Sequence, residues 1–435
     1  MLLDWRVAAS SCRFDPKICY VADGAVPDGV RLTDRISLGV LTRLFHRDLV
    51  DEVIAETGRR EQRSRLLPAH VVFYFVLAMA LFAGEGYEEV MRRLVGGLRF
   101  LRAWSSQWSV PSTSAISQAR ARLGEEPLRE MFHRVATPIA SPGDAGCWFG
   151  RFRVMAIDGV VLDTQDTPEN NAVFSHSNSG VKESAFPAVR VVALAECGTR
   201  AMVAAVIGSG RQGERTLAPQ LLDRVAPGML ILADRGFYAY DLWTGCREAG
   251  AEVAFRVGSN MNLPVLETYP DGSYRSVLIR RDIQRQVRQK ARRRGGYPDG
   301  DLSVLEAAGI PCRVIEYSVT NRDSNDDIIC LITSVMDHDL APAHELATLY
   351  HDRWEFELAL REIELHHIHH RRVLRSRSPE MVRQEIWATL LAHYAIRRLI
   401  HEAADTVDID PDRLSFLRTL RIVRRQVTDQ AGFSP

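Results

Sequence analysis

The spacing of apolar positions changes character three times along the chain. Residues 1–30 show no regular pattern. From Leu32 to about residue 135 apolar residues recur at steps of three and four, as in Leu38-Leu41-Leu44-Phe45 and Leu49-Val53-Ile54, the spacing of one helical face. Val71 to Ala83 is apolar all round and predicts a central buried helix, entered through Leu67-Pro68 with proline near the first turn. It is too short to cross a bilayer, which takes about 20 residues. Pro111-Ser112-Thr113-Ser114 supplies an N-cap for a helix from Ala115 to Leu123, closed by Gly124. That helix carries Ser117, Gln118, Arg120 and Arg122, which suit a DNA surface, although a solvated bundle helix is the plainer reading.

From about residue 150 the period shortens. Val154 to Ile157, Val160 to Leu162, Val189 to Ala195 and Met202 to Ile207 are short β-branched runs, followed by a Leu217-Leu221-Leu222 helix and the strand Met229 to Ala233. These make an α/β core. Residues 238–340 mix a helix near Trp243 with strands around Val253-Phe255, Val277-Ile279, Val314-Tyr317 and Ile328-Thr333, and read as a mostly β insertion. Helical spacing returns at Ala343 and continues through Ile386-Leu390-Leu391 and Ile396-Leu399. The expected organisation is an irregular segment (1–30), an all-α N-terminal domain (31–135), a first core part (150–237), the β-rich insertion (238–340), a second core part (341–400) and a helical tail (401–435).

Three acids stand out against this frame. Asp158 ends Val154-Met155-Ala156-Ile157 and Asp234 ends Met229-Leu230-Ile231-Leu232-Ala233, so both read as carboxylates at the tips of buried strands, where open sheets present their ligands. Glu357 lies in a helical segment where Tyr350, Arg353, Glu357 and Arg361 follow one another at steps of three or four. At about 100° per residue those four share a face. A Tyr, an Arg and a Glu aimed at two aspartates can hold divalent metal and a phosphate together. Breaking or transferring a phosphodiester needs neutralised charge on the phosphate and an activated oxygen, which carboxylate-bridged divalent ions supply. Mg2+ prefers oxygen ligands, so three carboxylates without Cys or a dedicated His are suitable.

Composition narrows the partner. With 46% hydrophobic and 25% charged residues the chain is ordinary globular protein, and its 435 residues suffice for two or three domains. The formal net charge of zero argues against a nucleic-acid partner unless the basic residues cluster, and they do. Arg280, Arg281, Arg285, Arg288, Lys290, Arg292, Arg293 and Arg294 form one run; His369, His370, Arg371, Arg372, Arg375 and Arg377 form another. Either run alone reads as a solvated face, but two beside a phosphate-ready triad favour a polyanion. Seven scattered cysteines without a C-x-x-C pair fit a reduced cytosolic protein without structural zinc, and the N-terminus shows no secretory signal.

The chain resembles the DDE transposases of bacterial insertion sequences, specifically the insertion-element-four group, from about Leu32 to about Arg398. The resemblance rests on Ala156-Ile157-Asp158-Gly159 with Asp166-Thr167-Pro168-Glu169-Asn170, on Ser184-Ala185-Phe186-Pro187-Ala188-Val189-Arg190, on Leu232-Ala233-Asp234-Arg235-Gly236-Phe237, and on Tyr350-x2-Arg353-x3-Glu357. It implies an RNase H-like fold, two Mg2+ ions with Mn2+ as a substitute, binding to terminal inverted repeats, and cut-and-paste DNA cleavage with strand transfer to target DNA within a homodimer. It also implies a bacterial cytoplasmic protein working at the nucleoid. Carried over, Asp158, Asp234 and Glu357 become the catalytic, metal-binding triad, and Tyr350 and Arg353 contact DNA phosphates near the cut. Arg361 and the basic run at Arg292, Arg293 and Arg294 are further expected DNA contacts. The group's lysine falls at Glu364 here, and relatives continue beyond this chain's end into a basic tail; a catalytically decayed remnant that only binds DNA is the competing reading.

Several neighbours are set aside. Glu355 points roughly 160° away from Glu357, so it and Glu362 are read as solvent-facing or paired rather than as the third acid. Asp163 and Asp166 read as turn residues. His366, His367, His369 and His370 have zinc-like spacing but lack a glutamate in H-E-x-x-H register, and read as DNA-facing or surface groups. Trp354 and Trp387 read as core anchors.

Overall fold

A computed structural model describes residues 39–63, 67–96, 109–179, 182–258, 261–280, 282–283, 285–286, 306–307, 309–320, 326–351, 353–368 and 373–428. Helices α1 (Arg47–Glu56), α2 (Ala69–Leu81), α3 (Tyr87–Gly96), α4 (Thr113–Leu123) and α5 (Glu126–Val135) make up its N-terminal part. The local signals work as their chemistry requires. Ser112 accepts from the Ala115 N–H at 3.3 Å, and Gly124, at φ +72, ends α4 where a side chain would be strained. Every residue of α2 from His70 to Leu81 is buried, as a helix apolar on all sides must be.

The sheet begins with β1 (Trp148–Phe149) and the twelve-residue β2 (Phe152–Asp163). After α6 (Pro168–Val173) come β3 (His176–Ser179), β4 (Lys182–Glu196) and β5 (Met202–Ser209). Short α7 (Glu214–Leu217) and a 3₁₀ segment lead to β6 (Met229–Ala233); α8 (Tyr240–Glu248) then crosses to β7 (Glu252–Val257). β5, β4 and β2 pair antiparallel, while β2, β6 and β7 pair parallel. The order β5-β4-β2-β6-β7 with those directions is an RNase H-like core.

Two expectations change shape here. The runs Val154–Ile157 and Val160–Leu162 are one strand, because β4 pairs with β2 continuously from Met155 to Asp163. Asp158 is therefore mid-strand. The mostly β insertion begins later than residue 238: α8 and β7 complete the parallel layer of the core, and β11 (Asp326–Thr333), β10 (Ile310–Thr320), β9 (Tyr274–Leu278) and β8 (Glu267–Thr268) then extend the same sheet outward from β7. All these added pairings are antiparallel. Of the first basic run only Arg280 and Arg285 fall within the described residues; Arg292, Arg293 and Arg294 lie outside them.

The chain returns through α9 (Ala343–His351), α10 (Trp354–Glu362), a π-helical turn (Ile363–His367), α11 (Pro379–Thr406) and α12 (Phe416–Thr428). The N-terminal helices, α9 to α12 and one sheet face share a single apolar cluster, which includes Val76, Ala156, Phe356, Trp387 and Leu420. The opposite face packs under α7 and α8 through Ile157, Ile231, Leu217 and Trp243. Arg120, far from lying on DNA, is fully buried and joins α4 to the α11 region, donating to Gln384 Oε1 at 2.8 Å and Ser376 Oγ at 3.0 Å. Arg375 of the second basic run likewise turns inward, donating to the carbonyls of Met79, Ala83 and Glu85. Cys147, Cys197, Cys246, Cys312 and Cys330 are buried free thiols. Among the described residues no helix is long and apolar enough to cross a membrane.

Candidate active site

The parallel pairing of β2 with β6 ends at Ile157 opposite Ala233. Asp158 and Asp234 are the next residues on each strand and so sit side by side where the parallel pair opens. Asp234 follows the end of β6 as expected, whereas Asp158 lies mid-strand in β2 and the tip beside it is that of β6. The third acid arrives by a less regular route. The segment from Tyr350 to Arg361 is not one helix: α9 stops at His351 and α10 starts at Trp354, with Arg353 as its N-cap. Even so, the Tyr350 hydroxyl donates to Asp234 Oδ1 at 3.3 Å, Arg353 Nη1 donates to Asp158 Oδ2 at 3.0 Å, and Arg353 Nη2 donates to Glu357 Oε1 at 3.0 Å. Tyr350 thus reaches Asp234, and Arg353 joins Asp158 to Glu357. Arg361 is exposed in the last turn of α10, and no described contact joins it to the acids.

Burial pushes the Asp158 carboxyl up to about 6, against the opposing pull of the Gly159 N–H and the Arg353 guanidinium; Glu357 and Glu214 push the same way as burial. A group whose folded pKa lies above its unfolded value carries a penalty for being charged, complete above the folded pKa and gone below the unfolded one. Asp158→Asn is therefore expected to stabilise the metal-free protein at pH 8 by on the order of 1–3 kcal/mol. That gain fades as the pH falls from about 6 towards 4, which urea unfolding across a pH series would show. A variant equally or less stable than wild type at pH 8 would contradict the assignment.

Two charged residues at the site escaped the sequence reading. Arg256 interrupts the apolar strand β7, and its Nη1 lies 3.9 Å from Asp234 Oδ1. Its signal was a lone arginine in Val253-Ala254-Phe255-Arg256-Val257, but only the register Ala233 to Phe255 shows that it faces Asp234. Glu214 stands at the start of α7 with Oε1 2.6 Å from Arg190 Nη1. Trp354, expected in the core, is 58% exposed instead, with the Arg353 guanidinium 5.9 Å from its ring centroid; it begins α10 on the solvent side, whereas Trp387 is buried as expected.

The acids set aside earlier anchor the back of α10. Glu355 Oε2 accepts from the Gly198 N–H at 2.5 Å, and Glu362 accepts from Arg397 Nε at 3.0 Å and lies 3.1 Å from His393 Nε2 and 3.7 Å from Arg200. Both grip the turn after β4, which fixes α10 against the sheet. Burial raises the Glu362 carboxyl, but His393, Arg397 and Arg200 outweigh it and hold the group below its ordinary range. Glu362→Gln is expected to cost about 2 kcal/mol in urea unfolding near neutral pH, because the cations keep their burial and lose their anion. The His366–His370 cluster is also partly internal. His367 Nδ1 lies 2.9 Å from the Ala80 carbonyl oxygen, and burial drives its pKa down to about 3, because α12 brings Phe416 over it. His366 stacks on Phe416, and His369 and His370 lie outside the described residues.

An RNase H-like sheet with carboxylates where its parallel strands part, and a returning helix that supplies a third, is the frame of a phosphodiester enzyme. Residues 150–395 match the family model described as transposase DDE domain, and residues 35–133 match insertion element 4 transposase N-terminal. The chain belongs to the DDE transposases of the insertion-element-four type, DNA-cleaving enzymes whose catalytic domains use divalent metal ions. It is 29% identical to the transposase InsG for insertion sequence element IS4 of Escherichia coli (strain K12), over 89% of this chain and 82% of that protein. It is 29% identical to the putative transposase InsZ of the same organism, over 43% of this chain and 60% of that protein. A solved piggyBac transposase synaptic complex with hairpin DNA aligns at TM-score 0.48 and 12% identity, covering 90% of this chain and 80% of that one.

Proposed function

We propose that this transposase binds the terminal inverted repeats of an insertion sequence as a homodimer and carries out cleavage and strand transfer with two Mg2+ ions, Mn2+ substituting, held by Asp158, Asp234 and Glu357. The observation that carries this reading is the set of contacts by which Tyr350 holds Asp234 and Arg353 links Asp158 to Glu357. The donor set suits a hard divalent cation: all its ligand atoms are carboxylate oxygens, and Asp158 is desolvated enough to favour a counter-charge. Among the described residues no three acidic, His or Cys groups stand close enough to share one ion, and the Arg353 guanidinium lies between Asp158 and Glu357. Bound divalent ions supply charge neutralisation at the phosphate and an activated attacking oxygen. The chain's own part is to aim them. Tyr350 orients Asp234 through its hydroxyl, and Arg353, 8% exposed, is placed to meet a phosphate at the same point.

Arg361, Arg292, Arg293 and Arg294 add charge for the DNA flanking the cut, and the reaction takes place at the bacterial nucleoid. Neutralising Arg292, Arg293 and Arg294 together is expected to weaken binding of all DNA sequences alike and to reduce the slope of log affinity against log salt by about 0.9 per lost phosphate contact. An unchanged slope means the run is merely solvated. The reading as a whole is tested by incubating the purified protein with a duplex bearing the inverted repeats that flank its gene. Mg2+-dependent cuts at the repeat ends support it. Binding of that duplex without cutting in Mg2+ or Mn2+ would reduce the protein to a DNA-binding remnant.

A further inference from the structure

Asp158 is followed at once by Gly159, and Asp234 is followed two residues later by Gly236. Neither glycine adopts a positive φ, so conformational freedom does not explain them. Space does. A Cβ on Gly159 would stand 3.3 Å from Glu214 Oε1, and one on Gly236 would stand 3.0 Å from Glu214 Oε2. One carboxylate thus lies across both acid-bearing segments, admitted by the missing side chain on each. It comes from the sheet face opposite α10, since α7 packs with Ile157 and Ile231.

Each carboxylate at the site has a guanidinium beside it. Arg353 serves Asp158 and Glu357, Arg256 lies near Asp234, and Arg190 holds Glu214, so three guanidiniums face four carboxylates. We propose that Glu214 is a fourth carboxylate of the metal centre, which Arg190 holds only until a divalent cation replaces it. This rests on the reading of Asp158, Asp234 and Glu357 as that centre. Two divalent cations bring four positive charges to these four carboxylates, which frees the arginines for phosphates as the metal arrives. An ordinary Arg190–Glu214 ion pair, made only to hold α7 against β4, is the alternative.

The two accounts differ in sign at Arg190. Metal-free full-length protein is titrated with Mn2+, and free Mn2+ is counted by its paramagnetic resonance signal, with no DNA present. Glu214→Gln is expected to weaken Mn2+ binding by about tenfold or more, the scale seen when a group supporting a metal ligand is lost. Arg190→Gln, which removes the competitor, is expected to tighten it. If Arg190→Gln leaves Mn2+ affinity unchanged or weaker, Glu214 is a structural partner and the proposal fails. That variant also serves if Glu214→Gln does not fold. Asp158→Asn separates the two levels of the argument. If it weakens Mn2+ binding while Glu214→Gln does not, only the fourth carboxylate is lost; if Asp158→Asn also binds Mn2+ like wild type, the reading of the site itself falls.

Discussion

Asp158→Asn, Asp234→Asn and Glu357→Gln are each expected to lower cleavage of terminal-repeat DNA by about a thousandfold or more, since metal-ion stabilisation of several kcal/mol at about 1.4 kcal/mol per factor of ten is at stake. DNA affinity should hold or rise slightly. Each change removes a negative charge from a surface that must accept phosphates, and the contacts that position DNA are other residues. Single-turnover cleavage with saturating protein separates the two quantities. The three losses should also resemble one another, because residues that act as one unit do not add. Wild-type rates in Glu357→Gln would mean that another acid completes the site, and Glu214 would be the first to examine. Glu355 and Glu362 are committed to the turn after β4 and to the Arg397–His393 cluster.

The largest loss of stability is expected far from the chemistry, at Arg120. Its guanidinium is fully buried and reaches Gln384, Ser376, the Met381 carbonyl and the Tyr87 hydroxyl. Among the described residues it has no direct carboxylate partner; Ser376, which accepts from it, donates its own hydroxyl hydrogen bond to Glu385 Oε2 at 2.5 Å. Arg120→Ala removes four donated bonds, leaves buried acceptors unsatisfied and opens a cavity between α4 and α11, at a cost of about 4 kcal/mol or more. Arg120→Lys should recover little, because one ammonium cannot serve acceptors lying in these several directions. The check is the shift in urea midpoint. A loss below about 1 kcal/mol, typical of surface changes, would return Arg120 to the surface.

What could be read in advance follows from how local each feature is. Asp158 and Asp234 each end an apolar run, so a one-dimensional pattern locates both. Tyr350, Arg353 and Glu357 were grouped by helical spacing, and they do meet, although the helix breaks between them and Arg353 becomes a cap. Arg256 needed the register of β6 against β7, which no local pattern contains. Glu214 begins a four-residue helix without periodicity, and only the two glycines beside the acids hint at it. His367 and Arg375 were misread as surface because neighbouring basic residues dominate their surroundings in sequence, whereas the elements that bury them, α2 and α12, come from the two ends of the chain. Trp354 went the other way: an aromatic is ordinarily core, and this one opens α10 towards solvent beside the acids.

The claim that Asp158, Asp234 and Glu357 form a divalent metal centre is tested most directly by crystals of the wild-type protein soaked in Mn2+ and examined by anomalous scattering. The account predicts manganese against the carboxylates of all three acids, with the Arg353 guanidinium withdrawn from between Asp158 and Glu357. Crystals in which Arg353 still bridges those two carboxylates, and manganese binds only elsewhere, would contradict it.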